Sequence, residues 1–300
     1  MRKFLLLIVA FSWSCVAFAQ RAAWQPPAGR PTLQLWPQGA PGPKTSAGPE
    51  ANIATAKDII AGRPIIRLAN VSDPTITLFE AADNPTHRAV VVFPGGGYTI
   101  LAIDLEGTEI CEWLNSIHVT CVLLKYRVPN SGPYPKSPAA LQDAQRALGM
   151  VREHAAEWHI DPHRVGVLGF SAGAHLAAAL STHFDKRLYD PLDAADQQSC
   201  RPDFAMIVYP GYLVFSEKNY EFNPDLPVTS QTPTSFLIQA EDDFAHVENS
   251  LLYYRALKNA GVEAEMHLYA HGGHGYGLRP TALPITHWPD LAQKWLERLP

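Results

Sequence analysis

The chain has 300 residues, 47% of them apolar and 18% charged, and its formal net charge is −5. That apolar content supports one large core without a second domain. The acidity is mild and no basic run occurs, which argues against a nucleic-acid partner.

The first residues read as an address. Arg2 and Lys3 precede the apolar stretch Phe4 to Phe11, and Ala17-Phe18-Ala19 supplies the small-x-small pattern of a signal-peptidase site. Residues 1–19 are therefore expected to be an export signal, with the mature chain secreted or periplasmic. This apolar run is too short to span a bilayer, and no later run reaches that length, so no membrane span is expected. Cleavage removes Cys15 and leaves Cys111, Cys121 and Cys200, enough for at most one bridge and an odd thiol. Their spacing matches no zinc pattern, and no metal is expected. Cys111 lies in a helical pattern and Cys121 in a strand pattern, where cysteine usually acts as a small buried hydrophobe.

Residues 20–63 are rich in Pro, Gly and Ala with little periodicity, and read as a linker and wrapping arm before a domain at 64–300. Thr75 to Glu80, Ala89 to Phe93 and Val119 to Tyr126 are β-branched or apolar runs, hence strands. The near-continuous apolar character of Val119 to Tyr126 suits a strand covered on both faces. Leu141, Ala144, Leu148, Val151, Ala155 and Trp158 form one helical stripe, ended by Asp161-Pro162. Strand Val165 to Phe170, helix Ala172 to Thr182 and strand Ala205 to Tyr209 follow. A Pro- and aromatic-rich excursion at 211–230 carries Tyr212, Phe215, Tyr220 and Phe222, and reads either as a packed excursion or as a small cap beside the site. Strand Ser235 to Ala240, helix Ser250 to Ala260, strand Ala264 to Tyr269 and helix Trp288 to Leu299 complete the order. Alternating strands and helices predict an α/β fold, a mostly parallel sheet with helices on both faces.

Chemistry concentrates at the carboxyl ends of these strands. Gly169-Phe170-Ser171-Ala172-Gly173 matches G-x-S-x-G at a strand-to-helix turn, which exposes the serine Oγ. The start of the helix then points free N–H groups at developing negative charge. Pro94-Gly95-Gly96-Gly97-Tyr98 follows another strand, and Gly96, Gly97 and Ala172 are candidate oxyanion donors. An acid and then a histidine are expected later in the chain. Asp243, in Glu241-Asp242-Asp243 after strand Ser235 to Ala240, is the favoured acid, with Asp242 its rival. His274, in Gly272-Gly273-His274-Gly275-Tyr276, is the favoured base, with His271 the runner-up. His175, on the helix after the serine, and the pair Arg127 and Asp143 read as framework.

With these motifs in order, the chain resembles the α/β-hydrolase esterases grouped with acetyl-xylan and feruloyl esterases, from about Leu35 to Leu299. The resemblance rests on Leu35-Trp36-Pro37 with Gly39-Ala40-Pro41-Gly42, Pro94-Gly95-Gly96-Gly97-Tyr98, and Trp113-Leu114-Asn115-Ser116. Leu124-Lys125-Tyr126-Arg127, the serine turn, Val247-Glu248-Asn249-Ser250 and Gly273-His274-Gly275 extend it. It implies cofactor-free hydrolysis of acyl esters, often acetyl groups on plant polysaccharide such as xylan, with a small-molecule or oligosaccharide ester as partner. Two positions depart from relatives. Pro94 stands where lipase-like esterases carry the histidine of His-Gly-Gly-Gly, and Gln239-Ala240 stands for the common His-Gly before the acid. Two other readings share these residues: a serine peptidase like the catalytic domains of prolyl oligopeptidases, and a carbohydrate-binding protein on a non-catalytic hydrolase fold.

Overall fold

A computed structural model describes residues 23–44 and 48–300; the expected export signal, residues 1–19, lies outside the described residues. Eight strands form the central sheet. They are β1 Thr32–Gln34, β2 Thr75–Phe79, β3 Ala89–Phe93 and β4 Thr120–Lys125, then β5 Val165–Phe170, β6 Phe204–Val208, β7 Thr234–Ala240 and β8 Ala264–Tyr269. Their spatial order is β1-β2-β4-β3-β5-β6-β7-β8. β1 and β2 pair antiparallel, as do β2 and β4, and every pair from β4 to β8 is parallel.

Val-rich β3 and the central strands β5 and β6 are buried along their whole length. That pattern requires cover on both faces, which the helices supply. α1 Glu109–Ser116 meets α5 Trp288–Arg298 through Trp113 and Trp288, whose rings lie 5.6 Å apart. α2 Ala139–Glu153 packs on α3 Ala172–Leu180, and α4 Glu248–Asn259 packs on β7 and β8. The expected stripe of α2 is buried, although Trp158 reaches the core from the turn beyond the helix end. Among the described residues, no helix is long and apolar enough to cross a membrane.

One sequence expectation gains detail. The stretch read as a linker and wrapping arm supplies β1, and Leu35 and Trp36 just after it are buried in the core. Short ladders continue there: Ala51–Asn52 pairs with Arg67–Ala69, which pairs with Ile100–Ala102. Strands of two or three residues between prolines are too short to show periodicity, so tertiary pairing alone reveals them. The cysteines fall within the limit of one bridge and an odd thiol. Cys111 on α1 and Cys121 on β4 are joined by a disulfide, their Cα atoms 5.2 Å apart, while Cys200 is a buried free thiol.

Candidate active site

β5 runs into α3 through a single residue, Ser171, held at φ 53° and ψ −117°. A non-glycine residue there is strained, at a cost of about 1–3 kcal/mol, and persists only where its surroundings impose it. Gly169 and Gly173 make the turn possible. A Cβ on Gly169 would strike the Gly173 backbone, and one on Gly173 would strike the carbonyl of Phe93. The Ser171 N–H is held by the Val208 carbonyl at 3.1 Å, which fixes the bend against β6.

β7 and β8 bring the polar partners. Nε2 of His274 lies 2.8 Å from the Ser171 Oγ, and Nδ1 lies 2.8 and 3.0 Å from the two carboxylate oxygens of Asp243. Asp243 is buried and also accepts from the Ala245 N–H at 2.7 Å and the Gln239 amide at 3.0 Å. The Ser250 hydroxyl donates to the other end of that amide at 2.6 Å, so Gln239 can only present its NH₂ to the acid. At this departure Gln239 thus serves as a donor to the carboxylate.

Asp242 does different work. Its Oδ1 accepts the N–H groups of Gly272 and Gly273 at 2.9 and 2.7 Å, and its Oδ2 faces His271 at 3.3 Å. Those amides, Gly273 foremost, hold its carboxyl below the usual range. Asp242 therefore staples the loop that carries His274, and His271 is tied to Asp242, away from Ser171.

The glycine loop lines the same cavity as the imidazole. Gly96 has φ 134° and Gly97 φ 62°, and a Cβ on Gly96 would strike the Ile100 carbonyl. The N–H groups of Gly96, Gly97 and Ala172 have no hydrogen-bond partner among the described residues, while both glycines and Ser171 line one cavity. The loop is braced from beneath. The Tyr126 hydroxyl donates to the Pro94 carbonyl at 2.6 Å, and the Gly95 N–H donates to Glu106 at 2.7 Å. These bonds anchor the loop without the histidine that Pro94 replaces.

Glu106 escaped the sequence reading because no motif marks it. It is buried in a π-helical turn, Asp104–Thr108, and its second oxygen accepts from the Tyr209 hydroxyl at 2.8 Å. Burial pushes its carboxyl above the ordinary range, against the opposing effect of the Tyr209 bond. The Gly277 N–H in turn donates to Tyr209 Oη at 3.1 Å, and the Tyr209 ring lies 5.0 Å from that of His274. One buried carboxyl therefore connects the glycine loop to the histidine loop.

The framework residues behave as expected of them. Asp143 holds the Arg127 guanidinium at 3.0 Å and the Trp36 indole N–H at 2.7 Å, all buried. His175 is buried with Nδ1 2.8 Å from the Tyr98 hydroxyl, and burial drives its pKa down to about 3.

The cavity above the serine measures about 650 Å³. Tyr212, Val214 and Phe215 of the 211–230 excursion line it, whereas Phe222 stacks on Tyr253 and Tyr220 meets His246 edge to face. The excursion contains a short hairpin, Val214–Phe215 with Glu221–Phe222. A hydroxyl, an imidazole, a buried carboxylate and free amides around one cavity are the parts of acyl transfer.

A family model described as the α/β-hydrolase fold matches residues 90–227. An acetylxylan esterase of Xylanibacter ruminicola is 32% identical over 219 residues, 65% of this chain and 42% of that protein. Endo-1,4-β-xylanase B of Butyrivibrio fibrisolvens is 27% identical over 220 residues, 67% of this chain and 34% of that protein. The chain thus spans less than half the length of these two curated relatives. The crystal structure of an acetyl ester-xyloside bifunctional hydrolase from Caldicellulosiruptor lactoaceticus matches with a TM-score of 0.64 at 34% identity, covering 83% of this chain and 96% of that one.

Proposed function

The chain belongs to the α/β-hydrolase family of acetyl-esterase-like enzymes, and from that premise we propose that it is a serine esterase releasing acetyl groups from acetylated plant polysaccharide such as xylan. The observation that carries the proposal is the continuous chain Ser171 Oγ, His274, Asp243, each link at 2.8 Å. Two relatives support the substrate class, one named for acetylxylan and one for acetyl ester and xyloside hydrolysis.

The proposed mechanism has two steps. Asp243 accepts the Nδ1–H of His274, which leaves the Nε2 lone pair facing the serine. His274 takes the Ser171 proton as Oγ attacks the ester carbonyl, and the developing oxyanion is received by the free N–H groups of Ala172, Gly96 and Gly97. His274 then hands its proton to the departing alcohol. Water, activated by the same imidazole, hydrolyses the acyl-enzyme. No step calls for a cofactor or metal.

Export of the mature chain is part of the same proposal. It rests on the address-like residues 1–19, and the Cys111–Cys121 disulfide agrees with an oxidising compartment.

Acetate release measured across acetylated xylan, acetylated pectin and small aryl acetates tests the substrate class, with xylan expected to lead. Ser171→Ala is expected to lower aryl-acetate turnover by at least about 10⁴-fold with little change in the thermal melt. Turnover surviving in that variant would end the serine assignment. Peptide cleavage without ester hydrolysis would favour the peptidase reading, and inertness toward a covalent serine probe the non-catalytic one.

A further inference from the structure

Phe244, the residue after the acid Asp243, is 77% exposed. It is not a stray apolar group on an outer surface. Its ring lies against that of His274, centroids 4.6 Å apart and planes tilted by 49°, and both rings line the cleft. Nor is it carried on a loose tip. The Ala245 N–H donates to Asp243 Oδ1 at 2.7 Å and the His246 N–H to the Asp243 carbonyl at 2.9 Å, so the acid's own bonds set the backbone beside Phe244.

The direction of the chemistry decides which part of the substrate this ring meets. His274 delivers its proton to the leaving oxygen, so the alcohol departs on the imidazole side. The carbonyl oxygen lies on the other side, at Gly96 and Gly97, where a Cβ on Gly97 would come within 3.7 Å of the Tyr212 hydroxyl. Phe244 therefore borders the alcohol. Ser216, Glu217 and His246 line the same cleft and can exchange hydrogen bonds with hydroxyls. A flat apolar ring sharing one cleft with hydroxyl-binding groups suits a ligand with a C–H face and a hydroxylated rim, which describes a pyranose.

We propose that Phe244 is the stacking platform of an alcohol-side subsite, holding a pyranose ring of the acetylated oligosaccharide while its ester lies over Ser171. The proposal rests on the esterase reading above and extends it to a specificity residue. Truncating a ring this exposed opens no cavity in the core, so Phe244→Ala should fold and melt like the parent.

The test compares the parent, Phe244→Ala and Phe244→Trp on acetylated xylo-oligosaccharide, ethyl acetate and octyl acetate. In Phe244→Ala the oligosaccharide KM is expected to rise about tenfold, the size of one lost ring contact, with kcat within about twofold. Preference for oligosaccharide over ethyl acetate falls accordingly, and Phe244→Trp restores it. An unchanged preference in Phe244→Ala overturns the platform. So does a larger loss on octyl acetate than on oligosaccharide, which would make the subsite a site for alkyl chains. If the parent cleaves ethyl acetate but no acetylated oligosaccharide, the polysaccharide reading fails along with the platform. If it cleaves none of the three, the esterase reading itself fails.

Discussion

Asp242 and Asp243 are adjacent in the chain, yet their carboxylates face different partners. Asp243 meets the imidazole, and Asp242 meets the backbone amides of the loop carrying it. Replacing each in turn should separate the two roles. Asp243→Asn keeps the shape but presents an amide to Nδ1 and inverts the tautomer, so kcat on an aryl acetate is expected to fall about 10³–10⁴-fold. Asp242→Asn loses charge-assisted bonds to two amides and should cost about tenfold, the scale of one or two weakened bonds. The reverse order would make Asp242 the acid. His175 carries a prediction in pH. Its pKa in the fold is driven down to about 3 by burial, with His183 a second, smaller cause. The unfolded histidine takes up a proton below about pH 6.5. A depressed folded pKa contributes stability that is whole above pH 6.5 and is lost as pH falls from there toward 3. The slope from this group is about 1.4 kcal/mol per pH unit. His175→Asn, which keeps an acceptor for Tyr98, should be less stable at pH 7 but lose stability more slowly on acidification. Urea unfolding at pH 7, 6 and 5 checks this, and a constant gap between variant and parent would refute it.

At the scale of elements, the serine turn and the amino-terminal stretch teach different lessons. The turn between β5 and α3 was legible because its requirements are local: glycines at fixed spacing, a Val-rich strand before and an Ala-rich helix after. The stretch before residue 64 was not legible, because its role depends on distant partners. β1 is three residues long, and Trp36 behind it is fixed by Asp143, 107 positions away, with Arg127 and Arg146 near its ring. Trp36→Ala is therefore expected to destabilise the whole domain by about 3–5 kcal/mol, a cavity plus an acceptor left short of a donor. The measurement is denaturant unfolding followed by far-UV dichroism and by proteolysis after Thr32. Early nicking of the parent around Thr32 with an intact core would show instead that the stretch is only draped on the surface. α1 belongs to the same lesson. Its disulfide to β4 closes ten residues of chain and steadies the helix that follows the Glu106 turn, so a covalent link supports the bracing of the glycine loop.

For the whole molecule, the strand order places the carboxyl ends of β3, β5, β7 and β8 along one edge of the sheet, where the glycine loop, serine, acid and histidine all sit. The amino-acid sequence by itself determined the fold class and the elements long enough to show a period. These properties depend on residue type and local spacing, which a linear chain displays. Only the tertiary structure decided between Asp242 and Asp243 as partner of the imidazole, joined Cys111 to Cys121, and set Glu106 beneath Gly95 and Phe244 beside His274. Each of these is a contact between residues remote in sequence or a direction in which a side chain points. Neighbouring carboxylates and isolated aromatics look alike along a chain, and they differ only once packing has assigned each a surrounding.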